Sequence, residues 1–168
     1  CVYLRSFSPE GTFAGLEKRL PELRDLGVTV LWLMPINPVG VKNRKGTLGS
    51  PYAVSDFYGI NPEFGTMQDF KRLLTAAKRE GMHLIIDLVA DHTSWDSRLI
   101  AEHPDWFRKD AQGNIVSPNP DWTDVAALDY TKPALRRSMI DMMRYWVKDV
   151  GIDGFRCDVA ELVPNDFW

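Results

Sequence analysis

The sequence predicts an α/β fold built on a parallel sheet. Three observations carry that prediction. Apolar, β-branched runs alternate with helical stretches in the order β-α-β-α-β-α-β. The run at residues 28–33 is continuously apolar, as strands buried on both faces are. The two long connections, residues 36–65 and 93–132, follow the second and third strands and so share one face of the sheet. Periodicity alone leaves a doubly wound sheet and a (β/α) barrel open. The first strand-to-helix turn, Ser8-Pro9-Glu10-Gly11, lacks a GxGxxG phosphate cradle, and no P-loop occurs. Long loops at the C-terminal ends of strands favour the barrel, whose active sites lie there.

Each element has its own signal. Residues 2–7 are apolar and aromatic and predict a strand, ended by the turn at Ser8-Pro9. Phe13, Leu16, Leu20, Leu23 and Leu26 recur at helical spacing, with Thr12 as N-cap and Gly27 as stop. Pro21 must kink or restart that helix, because it has no N–H to donate. The strand at 28–33 ends before Pro35. Thr66 caps a helix carrying Phe70, Leu73, Leu74 and Ala77, closed by Gly81, and residues 84–89 form the next strand. Pro133 opens a helix at its first turn; Leu135, Met139, Met142, Trp146 and Val150 make its apolar stripe, and Gly151 closes it. Residues 154–159 form the last strand.

Composition excludes several classes. The 168 residues suffice for a sizeable core, and 45% hydrophobic with 26% charged residues is incompatible with a disordered tail. Lys and Arg number 20 against 23 Asp and Glu, so no basic surplus exists to neutralise phosphates, and no nucleic-acid partner is expected. Cys1 and Cys157 make no disulfide framework. No apolar run approaches the ~20 residues of a membrane span, and no signal peptide is visible; nothing assigns a compartment. The chain starts at Cys1 and stops at Trp168 just after a motif, so a segment of a longer protein is expected.

Charged residues at strand ends are the informative ones. Asp87 sits between Ile86 and Leu88, an expensive place for an unpartnered carboxylate. His92 follows in the exit turn. Arg156 and Asp158 are two apart on a strand and therefore point to one face, while Cys157 alternates away from them. An arginine beside a carboxylate keeps it ionised, and an ionised, oriented Asp can serve as nucleophile or base. Buried Arg–Asp pairs are also often structural. Trp95, Trp106 and Trp122 lie in the long connection, where loop packing is the default and sugar stacking the alternative.

The motifs resemble the α-amylase family of glycoside hydrolases. Asp87-Leu88-Val89-Ala90-Asp91-His92 resembles the family's DxxxNH signature, and Gly154-Phe155-Arg156-Cys157-Asp158 its GxRxD signature. Residues 26–35 resemble the family's second strand, and residues 50–58 with 60–66 resemble the loop after its second and third elements, so the likeness covers nearly the whole chain. It implies the first four β/α units of a TIM barrel across residues 1–168, with 93–132 as a short inserted segment after the third strand. It implies Asp158 as the catalytic nucleophile of a retaining mechanism and Arg156 as the arginine that keeps it charged. Tyr52, His92 and Asp87 are implied on the substrate side: Tyr52 as a platform, His92 as a sugar contact, Asp87 as the organiser that bonds Arg156. The implied substrate is an α-1,4-glucan or maltooligosaccharide, and the chemistry needs no cofactor.

Departures from the family pattern shape the remaining expectations. Asp91 stands where the family often has a calcium-binding Asn, and is itself a good oxygen ligand. Ala127 stands where a ligating Asp is usual, and Leu162 where some members have a His, so the ligand set for a structural calcium is incomplete. The family's acid/base Glu follows a fifth strand, and a full barrel has eight; the second half of the barrel is therefore an expected partner, and residues 1–168 alone are expected to be inactive and to self-associate. A transglycosylase, or a sucrose- or trehalose-acting member, is the nearest alternative. A non-catalytic glucan-binding or transporter-associated homologue is the alternative of another class.

Overall fold

The computed structural model describes residues 1–168. In chain order its elements are α1 (Leu4–Phe7), α2 (Phe13–Glu17), α3 (Leu20–Asp25), β1 (Val30–Leu33), α4 (Met67–Arg79), β2 (His83–Val89), β3 (His92–Ser94), α5 (Arg98–Glu102), β4 (Val125–Ala127), α6 (Pro133–Arg144) and β5 (Gly154–Asp158). A π-helical turn, Tyr145–Val150, continues α6 and ends at Gly151, whose φ of 97° suits a residue without Cβ. The chain divides into two compact units. The first comprises residues 1–36, 58–88 and 144–156; the second comprises 37–57, 89–143 and 157–168.

The first unit is a sheet backed by helices. Its strand order is β1-β2-β5, and β1 pairs with β2 in parallel from Val30↔His83 to Leu33↔Ile86. Val2 adds one parallel bridge to Leu33. The four strand positions thus follow chain order, as in a (β/α) barrel, without the reversal of a doubly wound sheet. Leu31, Leu33, Leu84, Ile86 and Leu88 are buried. Behind them Phe70 of α4 packs its ring on Phe13 at 5.2 Å and edge-on to Trp146 at 6.0 Å. A capping box fixes the start of α4: Asp69 N–H donates to Thr66 Oγ1 at 3.2 Å, and Thr66 N–H donates to Asp69 Oδ2 at 2.8 Å.

Several expectations need correction. Residues 2–7 are not a strand: β1 stops at Leu33, Val2 alone finds a sheet partner, and the chain then coils into α1. The helix from Thr12 breaks and restarts at Arg19, as Pro21 requires, but Leu26, expected in its apolar stripe, is exposed. The run at 28–33 is shorter than expected and alternates, with Val30 exposed and Trp32 half-buried between buried neighbours. Ile85 and Arg156 are half-buried like Trp32, so one sheet face is packed and the other is open to solvent in part.

The second unit is built on a small antiparallel sheet. β3 pairs with β4 from His92↔Ala127 to Ser94↔Val125, inside the stretch expected to be a plain connection. Further antiparallel bridges join Phe107 to Leu128 and Lys109 to Ile115. Residues 37–57 fold back on themselves through a Val39↔Val54 bridge, and Ser94 N–H donates to the Val54 carbonyl at 2.8 Å. Asp96 anchors this loop by accepting from Val41 N–H at 2.7 Å and Lys42 N–H at 3.2 Å. Gly40 is required there, because a Cβ would lie 2.2 Å from that of Ser94. No helix is long and apolar enough to cross a membrane.

Phe70 has no exposed surface and packs against two aromatic neighbours, Phe13 and Trp146, so Phe70→Ala should cost about 3–5 kcal/mol, read as a lower denaturant midpoint at unchanged m-value.

Candidate active site

In the first unit, the chemistry centres on Asp87. Its side chain has no exposed surface, although β2 carries it among apolar residues. Arg156 on β5 answers that charge, with Nη1 at 3.1 Å from Oδ1 and 3.3 Å from Oδ2. The Trp32 indole N–H donates to Oδ2 at 3.1 Å. The guanidinium also lies over the Trp32 ring, 4.9 Å from its centroid. Neighbouring strands therefore place three side chains on one sheet face as a polar cluster. Asp87 accepts from Arg156 and from Trp32, and its side chain has no exposed surface.

In the second unit, an open pocket of about 230 Å³ is lined by Lys45, Ser50, Tyr52, His92, Trp122, Asp124, Val125, Asp158 and Val159. Four residues singled out in the sequence, Tyr52, His92, Trp122 and Asp158, meet there. The His92 ring lies 5.7 Å from the Trp122 ring, and its Nε2–H donates to the Tyr52 carbonyl at 3.2 Å. That bond ties the residue 37–57 loop to β3. Asp158 ends β5, and Val159 after it has φ of 41°, a left-handed conformation strained for a β-branched side chain. Aromatic faces beside a carboxylate suit a ligand with an apolar face and hydroxyl edges, such as a sugar ring.

The pocket also holds residues that the sequence reading did not single out. Lys45 Nζ lies 3.4 Å from the buried Asp124 carboxylate and donates to the Asp121 carbonyl at 2.6 Å. Neither residue belongs to a motif or a period, so only the folded loop reveals them. Trp122 faces the pocket, whereas Trp106 stacks on His103 at 3.8 Å and Trp95 donates to the Thr123 carbonyl, both as loop packing.

Asp91 does not line the pocket. It lies fully buried, with Oδ2 facing His92 Nδ1 at 3.5 Å and Oδ1 at 3.5 Å from Arg108 Nη2. No cluster of three or more His, Cys, Asp or Glu gathers here or elsewhere. The donor set around Asp91 includes a guanidinium and does not fit a calcium, which takes 6–8 oxygens.

Comparisons with known proteins show what the chain is similar to. A family model, "Alpha amylase, catalytic domain", matches residues 4–126 and 119–167. An α-1,4-glucan:maltose-1-phosphate maltosyltransferase of Pseudomonas aeruginosa is 34% identical over 94% of this chain and 27% of its own. An α-amylase of Dictyoglomus thermophilum is 29% identical over 98% of this chain and 36% of its own. Among solved structures, an α-amylase from Lactobacillus plantarum superposes with a TM-score of 0.96 at 51% identity, over 99% of this chain and 39% of its own. A noncanonic maltogenic α-amylase from Thermotoga neapolitana gives 0.88 at 49% identity, over 93% and 37%. The chain therefore spans between a quarter and two-fifths of the length of these proteins.

Two outcomes test the site's framework. Arg156→Met strips a buried carboxylate of its cation; with Arg156 itself 36% exposed, the loss should be about 2–3 kcal/mol by urea unfolding, at or below the lower end for buried pairs. Burial pushes the Asp96 carboxyl up, but hydrogen bonds led by the Val41 N–H together hold it below its ordinary value. Its contribution is thus present above the ordinary carboxylate range and lost as pH falls through the lowered folded value. Asp96→Asn should flatten the acid limb of stability against pH, measured by thermal melts.

Proposed function

Because the chain belongs to the α-amylase catalytic-domain family, we propose that the protein acts on α-1,4-glucans or maltooligosaccharides by a retaining mechanism. The observation that carries this reading is the pocket that gathers Asp158 with Tyr52, His92 and Trp122. In the proposed reaction the Asp158 carboxylate attacks the anomeric carbon as the bond to the leaving oxygen breaks, giving a covalent glycosyl-enzyme. A second carboxyl group protonates that oxygen, then removes a proton from the water that attacks the intermediate. We assign that acid/base to a Glu outside residues 1–168, on a second barrel half that covers the sheet face bearing Trp32, Ile85 and Arg156. Residues 1–168 by themselves are then inactive. Tyr52 and Trp122 supply apolar faces for the sugar, and no cofactor takes part.

A second reading is transfer rather than hydrolysis, favoured by the maltosyltransferase among the relatives. In that case a sugar or phosphate oxygen replaces water as the acceptor. Product lengths separate the two: hydrolysis of a maltooligosaccharide yields only shorter chains, whereas transfer to a second sugar yields longer ones.

Asp158→Asn in the full-length protein should lower turnover by about four orders of magnitude while leaving the melting temperature nearly unchanged. Wild-type protein given an activated maltoside should release a burst of leaving group equal to the enzyme present. Near-wild-type turnover of Asp158→Asn would remove the nucleophile role.

A further inference from the structure

Asp91 poses an electrostatic problem that the pocket's chemistry does not explain. Its carboxylate has no exposed surface, and Oδ2 has no hydrogen-bond donor. Burying such a charge without a cation is costly. His92 Nδ1 faces Oδ2 at 3.5 Å without a hydrogen bond, and Arg108 is the one permanent cation beside it. Arg108 Nη2 lies 3.5 Å from Asp91 Oδ1 and donates to the Leu162 carbonyl at 3.4 Å, while Nε donates to the Leu128 carbonyl at 3.1 Å. The backbone holds that side chain in place. Arg108 N–H donates to the Ala127 carbonyl at 2.9 Å, and its own carbonyl accepts from Val116 N–H at 3.1 Å.

We propose that the Arg108 guanidinium is the resident cation of the second unit, filling with a protein side chain the place that a structural calcium would take. The three oxygens it gathers come from three separate segments: the exit of β2, the exit of β4 and the turn after β5. The calcium expectation had centred on Asp91, Ala127 and Leu162. In the structure Asp91 and the Leu162 carbonyl are both contacts of Arg108, and the third, Leu128, is the neighbour of Ala127. A guanidinium suits the task because it is permanently charged and spreads its donors over a planar fork. Its contacts of 3.1 to 3.5 Å are longer than tight hydrogen bonds, so charge compensation dominates over directional bonding. Asp91 adjoins His92, and Leu162 lies in the turn that follows Asp158. Arg108 is therefore a positioning residue for two pocket residues it does not touch, and it makes that positioning independent of metal.

The test is a thermal-melt series on the full-length protein: wild type, Arg108→Met, Asp91→Asn and the double variant, each in excess EDTA and in millimolar calcium. Arg108→Met leaves an uncompensated buried carboxylate and should lower the melting temperature by about 5 °C or more. Adding Asp91→Asn removes that charge and should recover part of the loss, which a merely packing role for Arg108 would not allow. Calcium should raise the melting temperature of Arg108→Met, where the three oxygens lie vacant, but not that of the double variant, and should shift wild type less than Arg108→Met. If Arg108→Met does not fold, Arg108→Gln, which removes the charge but keeps a polar side chain, carries the same comparison. The proposal is overturned if the Arg108 variant melts like wild type, if Asp91→Asn recovers nothing, or if calcium shifts wild type and variant equally.

Discussion

A carboxylate placed inside a sheet must be matched by a cation or remain neutral, and this protein meets that constraint twice along one stretch of chain. Asp87 lies within β2 and Asp91 just beyond it. Each has a fully buried side chain, one in each compact unit. Each takes an arginine from later in the sequence, Arg156 at a separation of 69 residues and Arg108 at 17. Neither pair is cheap to assemble, because desolvating both partners offsets much of their attraction. Their effect is on specificity of arrangement. Asp87 is satisfied only when β5 has been laid beside β2, and Asp91 only when the segment bearing Arg108 has paired with β4. The charges thus select the strand neighbours that the apolar surfaces alone would leave degenerate.

The pocket follows from this framework without being part of it. β3 and the folded-back loop at 37–57 are joined through Ser94, Asp96 and His92, and each contact uses a backbone group at a defined height along the chain. Tyr52 and His92 therefore hold their places through main-chain bonds, leaving their ring faces for a ligand. Asp158 comes from a strand rather than a loop, and the left-handed Val159 beside it turns the chain at once into the wall of the pocket. A rigid strand end carrying the carboxylate, faced by aromatic loop residues, divides orientation from recognition.

Much of the fold was legible in the sequence where the signal is local. The Thr66 cap, the spacing of Phe70, Leu73, Leu74 and Ala77, and the β-branched runs before Pro35 and after His83 each encode an element through contacts within a few residues. The failures share a cause. Residues 2–7 have strand propensity but only one residue's worth of sheet edge to pair with, so length of the partner decided against it. β3 and β4 are three residues each, too short for any period, and His92-Thr93-Ser94 is polar; their pairing is a tertiary event. The site divides the same way. Asp87, His92, Arg156 and Asp158 stand in ordered motifs, whereas Lys45, Asp124 and Arg108 act through partners distant in sequence.

The segments of the two units alternate along the chain, three belonging to each. On a ribosome this ordering has a cost in time. β2 emerges with β1 already available on one side, but the strand for its other side, β5, is made only after the whole of residues 90–153. At synthesis rates of about 5–20 residues per second, that wait lasts on the order of several seconds. During it β2 exposes an unpaired apolar edge and Asp87 has no guanidinium. The nascent chain therefore passes through an interval in which its most hydrophobic strand is its least protected, and chaperone occupancy should concentrate on that interval.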